Sequence, residues 1–124
     1  MASLDLTEFT ITLTMSKAKK PTARLCFVGV PTITLNSTAG LLVHETLGDT
    51  VSLQVDPLTG RIALIKGNER KLMLDRIGSD VRKIAVSAIA DELVEIFGEC
   101  RSVYFDPEVY DNAVLLKPNG RVVS

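Results

Sequence analysis

Apolar and polar side chains alternate along several short stretches of the chain, with the two-residue period of a strand that has one buried face. In the first half, alternation or short apolar runs occupy residues 9–15, 23–30, 32–35, 51–55 and 62–65. Between residues 37 and 47 apolar side chains instead recur every three or four residues, which predicts an amphipathic helix. From residue 22 to residue 67 the pattern therefore predicts the order strand, strand, helix, strand, strand.

Residue types at the junctions set the boundaries of these predicted elements. Asn36 or Ser37 can cap the helix by accepting a hydrogen bond from a free first-turn N–H group. Gly48 follows the helix and can adopt the left-handed conformation that commonly ends one. The segment from Asp56 to Gly60 predicts a tight hairpin turn, because Asp accepts local backbone hydrogen bonds and Gly60 can adopt a positive φ.

The same order of elements recurs about fifty residues further along the chain. The matching residues are Ile33 with Ile84, Ala39 with Ala90, Val43 with Val94, Gly48 with Gly98, Asp56 with Asp106, Pro57 with Pro107, Leu64 with Leu115 and Lys66 with Lys117. In the second copy Ser87 is the predicted cap, Leu93 lies on the apolar stripe and Gly98 ends the helix. The two helices are therefore expected to match in length and in buried face, and the tail at residues 118–124 is expected to fray.

A chain of 124 residues is the size of one ordinary domain, so two copies within it are expected to share one core. We predict a single α+β domain over residues 1–124, a small and mainly β barrel-like fold built from two tandem units. The units, at residues 22–67 and 70–117, are expected to be related by pseudo-twofold symmetry. Leu42 and Leu93 are expected to be buried in the shared core.

Composition and charge narrow the expected partners. The chain is 46% hydrophobic, which is typical of a globular protein, and its formal net charge is −1. Residues 1–83 carry 11 basic and 8 acidic side chains, whereas residues 84–124 carry 3 and 7. No apolar run approaches the roughly 18 residues of a membrane span, and no signal-peptide pattern opens the sequence, so a cytoplasmic protein without a membrane partner is expected.

The residues that commonly carry chemistry are few and scattered. His44 is the single histidine, and no nucleophile and orienting carboxylate accompany it in a triad pattern. Cys26 and Cys100 are too far apart in the sequence for a metal or redox motif, and no glycine-rich phosphate loop is present. We therefore predict a protein that is not an enzyme and that uses no metal and no cofactor.

Two short motifs resemble a known family. The segments Leu47-Gly48-Asp49-Thr50-Val51 and Gly60-Arg61-Ile62-Ala63-Leu64 are similar to the AbrB/MazE swapped-hairpin family of bacterial DNA-binding proteins. In that family two hairpin units interlock into one barrel-like core, and the duplication resembles the tandem, MraZ-type members. The chain departs from the pattern in having Leu35-Asn36-Ser37 where an Ile-Pro entry is usual, and in lacking residues between Leu-Gly and Gly-Asp. Residues 33–36 and 56–62 also resemble segments of small uncharacterised proteins of bacterial viruses.

The resemblance implies a DNA-binding regulatory protein that contacts duplex DNA through the basic leading hairpins of its two units. The basic residues at those positions are Lys17, Lys19, Lys20, Arg24, Arg76, Arg82 and Lys83. The alternative is a non-enzymatic protein-interaction module, such as a virus- or mobile-element-encoded effector that binds a host protein through an acidic helix face. The residues of that face are Asp91, Glu92, Glu95 and Glu99. A homo-oligomer is open in either case, because a basic surface of one copy can pair with an acidic surface of another.

Overall fold

The computed structural model describes residues 20–76 and 78–124. The elements in chain order are β1 (Ala23–Cys26), β2 (Thr32–Leu35), α1 (Ser37–Leu47), β3 (Thr50–Val55), β4 (Ile62–Lys66), β5 (Arg70–Lys71), β6 (Met73–Leu74), β7 (Arg82–Ala85), a 3₁₀ turn (Ser87–Ile89), α2 (Ala90–Phe97), β8 (Ser102–Val109) and β9 (Ala113–Val123). The strand expected at residues 9–15 and the candidate DNA-contacting residues Lys17 and Lys19 lie outside the described residues.

The strands form one antiparallel sheet with the order β5, β3, β4, β9, β8, β1, β2, β7, β6. Its two edge strands, β5 and β6, are separated in the chain only by the buried Leu72. The N–H of Leu72 donates to the carbonyl of Asp49 at 2.7 Å, next to the pairing of β5 with β3. The sheet is therefore a nearly closed barrel, and the prediction of a small, sheet-rich, barrel-like fold is confirmed.

Strands from the two halves of the sequence pair with each other around this barrel. β2 pairs with β7 and places Ile33 opposite Ile84, while β4 pairs with β9 and places Leu64 opposite Val114. All four side chains are fully buried, as is Phe105 on β8, which pairs with β1. One core therefore contains side chains from both halves of the chain.

Each helix packs a narrow apolar stripe against this core. In α1 the buried side chains Ala39, Val43 and Leu47 recur every four residues, which places them on one face. Leu42 is only half-buried, so the prediction that it belongs to the core is wrong; it precedes Val43 and falls to the side of that stripe. Leu93 in α2 is 1% exposed, as expected.

The beginning of the second helix differs from the prediction. Ser87 does not cap it: Val86 occupies the N-cap position of the 3₁₀ turn, and no side chain of the described residues caps that turn or α2. The α-helical part is 8 residues long against 11 in α1, so the helices do not match in length. Val94, which the repeat matched to the buried Val43, is 39% exposed, and the match is therefore one residue out of register here.

Hydrogen bonds within the turn between β3 and β4 fix its shape. Gly60 has a φ of 74°, and its N–H donates to the carbonyl of Asp56 at 2.8 Å, which confirms the positive φ expected there. The Asp56 carboxylate accepts from the Thr59 hydroxyl at 2.8 Å and from the Leu58 N–H at 3.0 Å. These hydrogen bonds lower the pKa of Asp56, the hydroxyl contributing most.

Two strand boundaries differ from the sequence pattern. The strand expected at residues 23–30 is β1, and it ends at Cys26. Gly29, in the segment that follows β1, has a φ of 75°. The frayed tail is also a wrong prediction, because β9 continues to Val123, which pairs with Ser102. β8 is therefore paired with β9 at both of its ends, from Ser102 to Val109.

Candidate functional site

A row of outward-facing residues crosses neighbouring strands on the outer surface of the barrel. On β1, Arg24 lies opposite Tyr104 of β8 on one side and opposite Thr34 of β2 on the other. Thr34 in turn lies opposite Lys83 of β7. These four side chains therefore stand next to one another across four adjacent strands, with Arg24 and Lys83 separated by one strand.

A second arginine extends this row onto β9. The guanidinium of Arg121 lies 4.2 Å from the ring centroid of Tyr104, which is cation–π geometry. The register between β8 and β9 shifts between Val103 and Phe105, next to this contact. We call Arg121, Tyr104, Arg24, Thr34 and Lys83 the basic row.

Strand alternation explains why these side chains face outward. Ala23 and Leu25 flank Arg24 on β1 and are both buried, so the intervening side chain points away from the core. Ile33 and Leu35 place Thr34 outward in the same way. Because neighbouring strands are about 4.8 Å apart, the backbones of the strands that carry the three cations are about 10 Å apart from one to the next.

Carboxylates near the row neutralise only part of its charge. Asp75 accepts from Lys83 at 2.7 Å and lies 3.8 Å from Arg76. The hydrogen bond from Lys83 is the main reason why the pKa of Asp75 is lowered. Asp106 lies 3.5 Å from Lys20.

The two arginines of the row differ from Lys83 and Lys20 in this respect. Within residues 20–76 and 78–124, neither Arg24 nor Arg121 takes part in an ion pair, and both are exposed. Their guanidinium groups are therefore the part of the row that is most open to an anionic partner.

The structure brings together only part of the basic set expected from the sequence. Arg24 and Lys83 lie in the row, Lys20 lies beside Asp106, and Arg76 lies beside Asp75. Arg82 is half-buried and lines a separate cleft, because it precedes Lys83 and strand alternation directs it the other way.

Tyr104 and Arg121 are not among the residues predicted from the sequence. Their contact depends on the pairing of the end of β9 with β8, across a register shift that has no local sequence signal. The alternation of Val103, Tyr104 and Phe105 could have identified Tyr104 as an outward-facing residue.

The acidic residues of the alternative hypothesis lie on α2 and just after it. Asp91, Glu92, Glu95 and Glu99 are all exposed, and none is in an ion pair within the part of the chain that the structure describes. Leu93 packs on the core from the other side of the helix, and Phe97 meets Phe105 edge to face at 5.7 Å. The carboxylates consequently face solvent.

Other reactive side chains lie apart from the basic row. The Nδ1 atom of His44 is 2.7 Å from a carboxylate oxygen of Asp49. Burial raises the pKa of the Cys100 thiol, which keeps it protonated at neutral pH. Among the residues that the structure describes, no three His, Cys, Asp or Glu side chains form a group that could hold a metal ion.

Comparison of the chain with protein-family models, with curated proteins and with solved structures finds no match. Neither helix of the described segments is long and apolar enough to cross a membrane.

Proposed function

We propose that the protein binds duplex DNA through the basic row. The observation that supports this proposal is the succession of Arg121, Arg24 and Lys83 on the outer surface of neighbouring strands, with Tyr104 and Thr34 between them. Duplex DNA carries one negative charge per about 1.7 Å, so each cation of the row that reaches the duplex lies near several phosphates. Arg and Lys are the usual side chains that contact phosphates.

The contact is expected to be made with the phosphate backbone more than with the bases. Phosphate contacts fix the position of a protein on the duplex but carry no sequence information by themselves. Met73 lies opposite Lys83 on the next strand, so the row ends there without a further cation. We therefore expect little sequence discrimination from the row alone and a strong dependence of affinity on salt.

The pairing pattern also supports the proposal that the chain is a tandem AbrB/MazE-like protein with pseudo-twofold symmetry. The hairpin of β3 with β4 has a counterpart in the hairpin of β8 with β9, and β1 pairs with β2 as β6 pairs with β7. The pairs β2 with β7 and β4 with β9 would then lie on the symmetry axis. A regulatory role in transcription follows from this family likeness alone.

A charge-matched mutant comparison tests DNA binding. In the row variant Arg24, Lys83 and Arg121 are replaced by Gln, and in the control variant Arg61, Lys66 and Lys117 are replaced by Gln. Both variants lose three positive charges. Of the control residues, Arg61 directly precedes β4, Lys66 ends β4 and Lys117 lies on β9, and none of them belongs to the row. Fluorescence anisotropy with a labelled duplex of roughly 20 base pairs at about 50 mM salt measures the affinity.

We expect the row variant to bind at least about 10-fold more weakly than wild type, and the control variant to stay close to wild type. Equal weakening in both variants would mean that net charge, and not the row, determines binding. No binding by the wild-type chain would refute the proposal.

The exposed carboxylates of α2 favour a second candidate function, the binding of a basic protein surface. One such surface is the basic row of another copy of the chain. Sedimentation of wild type and of a Glu92→Lys, Glu95→Lys variant at low and high salt tests this candidate. Salt-sensitive association in wild type that the variant lacks would support self-association, and a monomer under all conditions would exclude it.

A further inference from the structure

A cleft of about 470 Å³ lies on the barrel where the end of α1 meets the edge strands. His44 and Asp49 line it from the end of α1, and Arg82 lines it from β7. Lys71, Met73 and Leu74 line it from β5 and β6. We propose that this cleft binds a small organic anion that has a carboxylate or phosphate headgroup and an apolar body.

Close packing of α1 against β7 restricts the position of Arg82 in the cleft. α1 approaches β7 so closely at Gly40 that a Cβ atom there would lie 3.0 Å from Cγ of Arg82 and closer still to the carbonyl of Asp80. The stem of Arg82 is therefore confined beside the helix, and its Nη1 donates to the carbonyl of Ser79 at 3.5 Å. A guanidinium has five N–H donors, so several remain for a ligand.

The charges in the cleft favour an anion. Lys71 and Arg82 are in no ion pair within the described segments of the chain. The single carboxylate among the lining residues, that of Asp49, is already engaged by His44 at 2.7 Å. Two cations thus line a cleft whose one carboxylate already has a hydrogen-bond partner. A carboxylate or a phosphate can bind the guanidinium through two parallel hydrogen bonds.

The other part of the cleft is apolar and exposed. Met73 is 56% exposed and Leu74 is 53% exposed, although both lie on a strand of the sheet. A ligand with a hydrocarbon body would cover these two side chains, whereas an inorganic anion would leave them in water. The volume is within the range of small-molecule sites, which is about 300–1,000 Å³.

NMR titration of the ¹⁵N-labelled full chain tests the proposal without nucleic acid, so its outcome does not depend on DNA binding. The probes are hexanoate and hexyl phosphate, with hexan-1-ol, hexylammonium and inorganic phosphate as controls. We expect saturable shifts of the Asp49, Lys71, Met73 and Leu74 amides with both organic anions, and affinities at least about 10-fold weaker for all three controls. A preference for one organic anion identifies the headgroup.

Two variants separate the two cations of the cleft. Arg82→Met keeps a stem against Gly40 but removes the guanidinium, and Lys71→Met removes the ammonium of an exposed residue. Each is expected to weaken hexanoate binding about 10-fold and to leave hexan-1-ol binding unchanged. The matched control is Arg70→Met, one residue before Lys71 and not among the residues that line the cleft.

The proposal is overturned if hexan-1-ol binds as tightly as hexanoate, if the shifted amides lie elsewhere, or if no probe gives saturable shifts. It is also overturned if Arg70→Met weakens binding as much as Lys71→Met does. Because Lys71 is exposed, Lys71→Met tests the proposal even if Arg82→Met destabilises the fold.

Discussion

Gly60 combines a backbone requirement and a packing requirement at one residue. Its φ is 74°, and a Cβ atom added there would lie 2.9 Å from Cε1 of Phe97. Gly120 has a similar φ of 87°, but among the described residues an added Cβ would meet nothing within 4 Å. A side chain at either position would carry the strain of a left-handed backbone, but only a side chain at Gly60 would also contact α2.

We predict that Gly60→Ala lowers the free energy of unfolding more than Gly120→Ala does. Both variants carry the left-handed strain of a non-glycine residue, about 1–2 kcal/mol, and Gly60→Ala adds the displacement of the Phe97 ring. Urea unfolding of both variants and wild type measures the difference. Equal losses of stability would show that the ring moves aside without cost.

At the scale of the element, α1 and α2 differ most at their first turns. The Asn36 side chain accepts from the N–H groups of Ala39 at 2.9 Å and Thr22 at 3.2 Å, and it donates to the carbonyl of Lys20 at 2.8 Å. It thereby caps α1 and ties it to the segment that enters β1. In the part of the chain that the structure describes, no side chain caps α2.

We predict that Asn36→Ala destabilises the protein by about 1–3 kcal/mol, because the cap and two further hydrogen bonds are lost. Ser87→Ala, at the position expected from the sequence to be a cap, should change stability by less than about 0.5 kcal/mol. Thermal or urea unfolding of the two variants checks the contrast. A Ser87→Ala loss as large as that of Asn36→Ala would contradict the described start of the second helix.

Some element boundaries follow from local sequence signals, and others depend on tertiary contacts. The bounds of β2 and α1 agree with the prediction, since strict alternation, Asn36 and Gly48 act locally. The end of β9 and the 3₁₀ turn before α2 could not be predicted, because they depend on pairing with β8 and on tertiary packing. Of the cations in the basic row, the sequence predicts only Arg24 and Lys83. Arg121 cannot be predicted locally, because its contact with Tyr104 requires the pairing of β9 with β8.

At the scale of the whole molecule, strands from both halves form one core, so the protein is expected to unfold as one unit. Leu93→Ala should lower the free energy of unfolding by about 2–5 kcal/mol, because Leu93 is 1% exposed. Leu41 is 39% exposed on α1, so Leu41→Ala should lower it by less than about 1 kcal/mol. Tyrosine fluorescence reports on β8 and the β8–β9 turn, where both tyrosines lie, and circular dichroism reports on the whole chain. Coincident transitions are expected in every variant, and separate transitions would mean independent halves.

The salt dependence of DNA binding tests the proposed function most directly, because it counts the phosphates that the basic row neutralises. The slope of log affinity against log salt concentration changes by about 0.9 for each phosphate contact on duplex DNA. Replacement of Arg24, Lys83 and Arg121 by Gln should therefore flatten the wild-type slope by about 2 to 3 units. The control replacement of Arg61, Lys66 and Lys117 should leave the slope unchanged. A slope that is the same in wild type and the row variant would contradict DNA binding through this face.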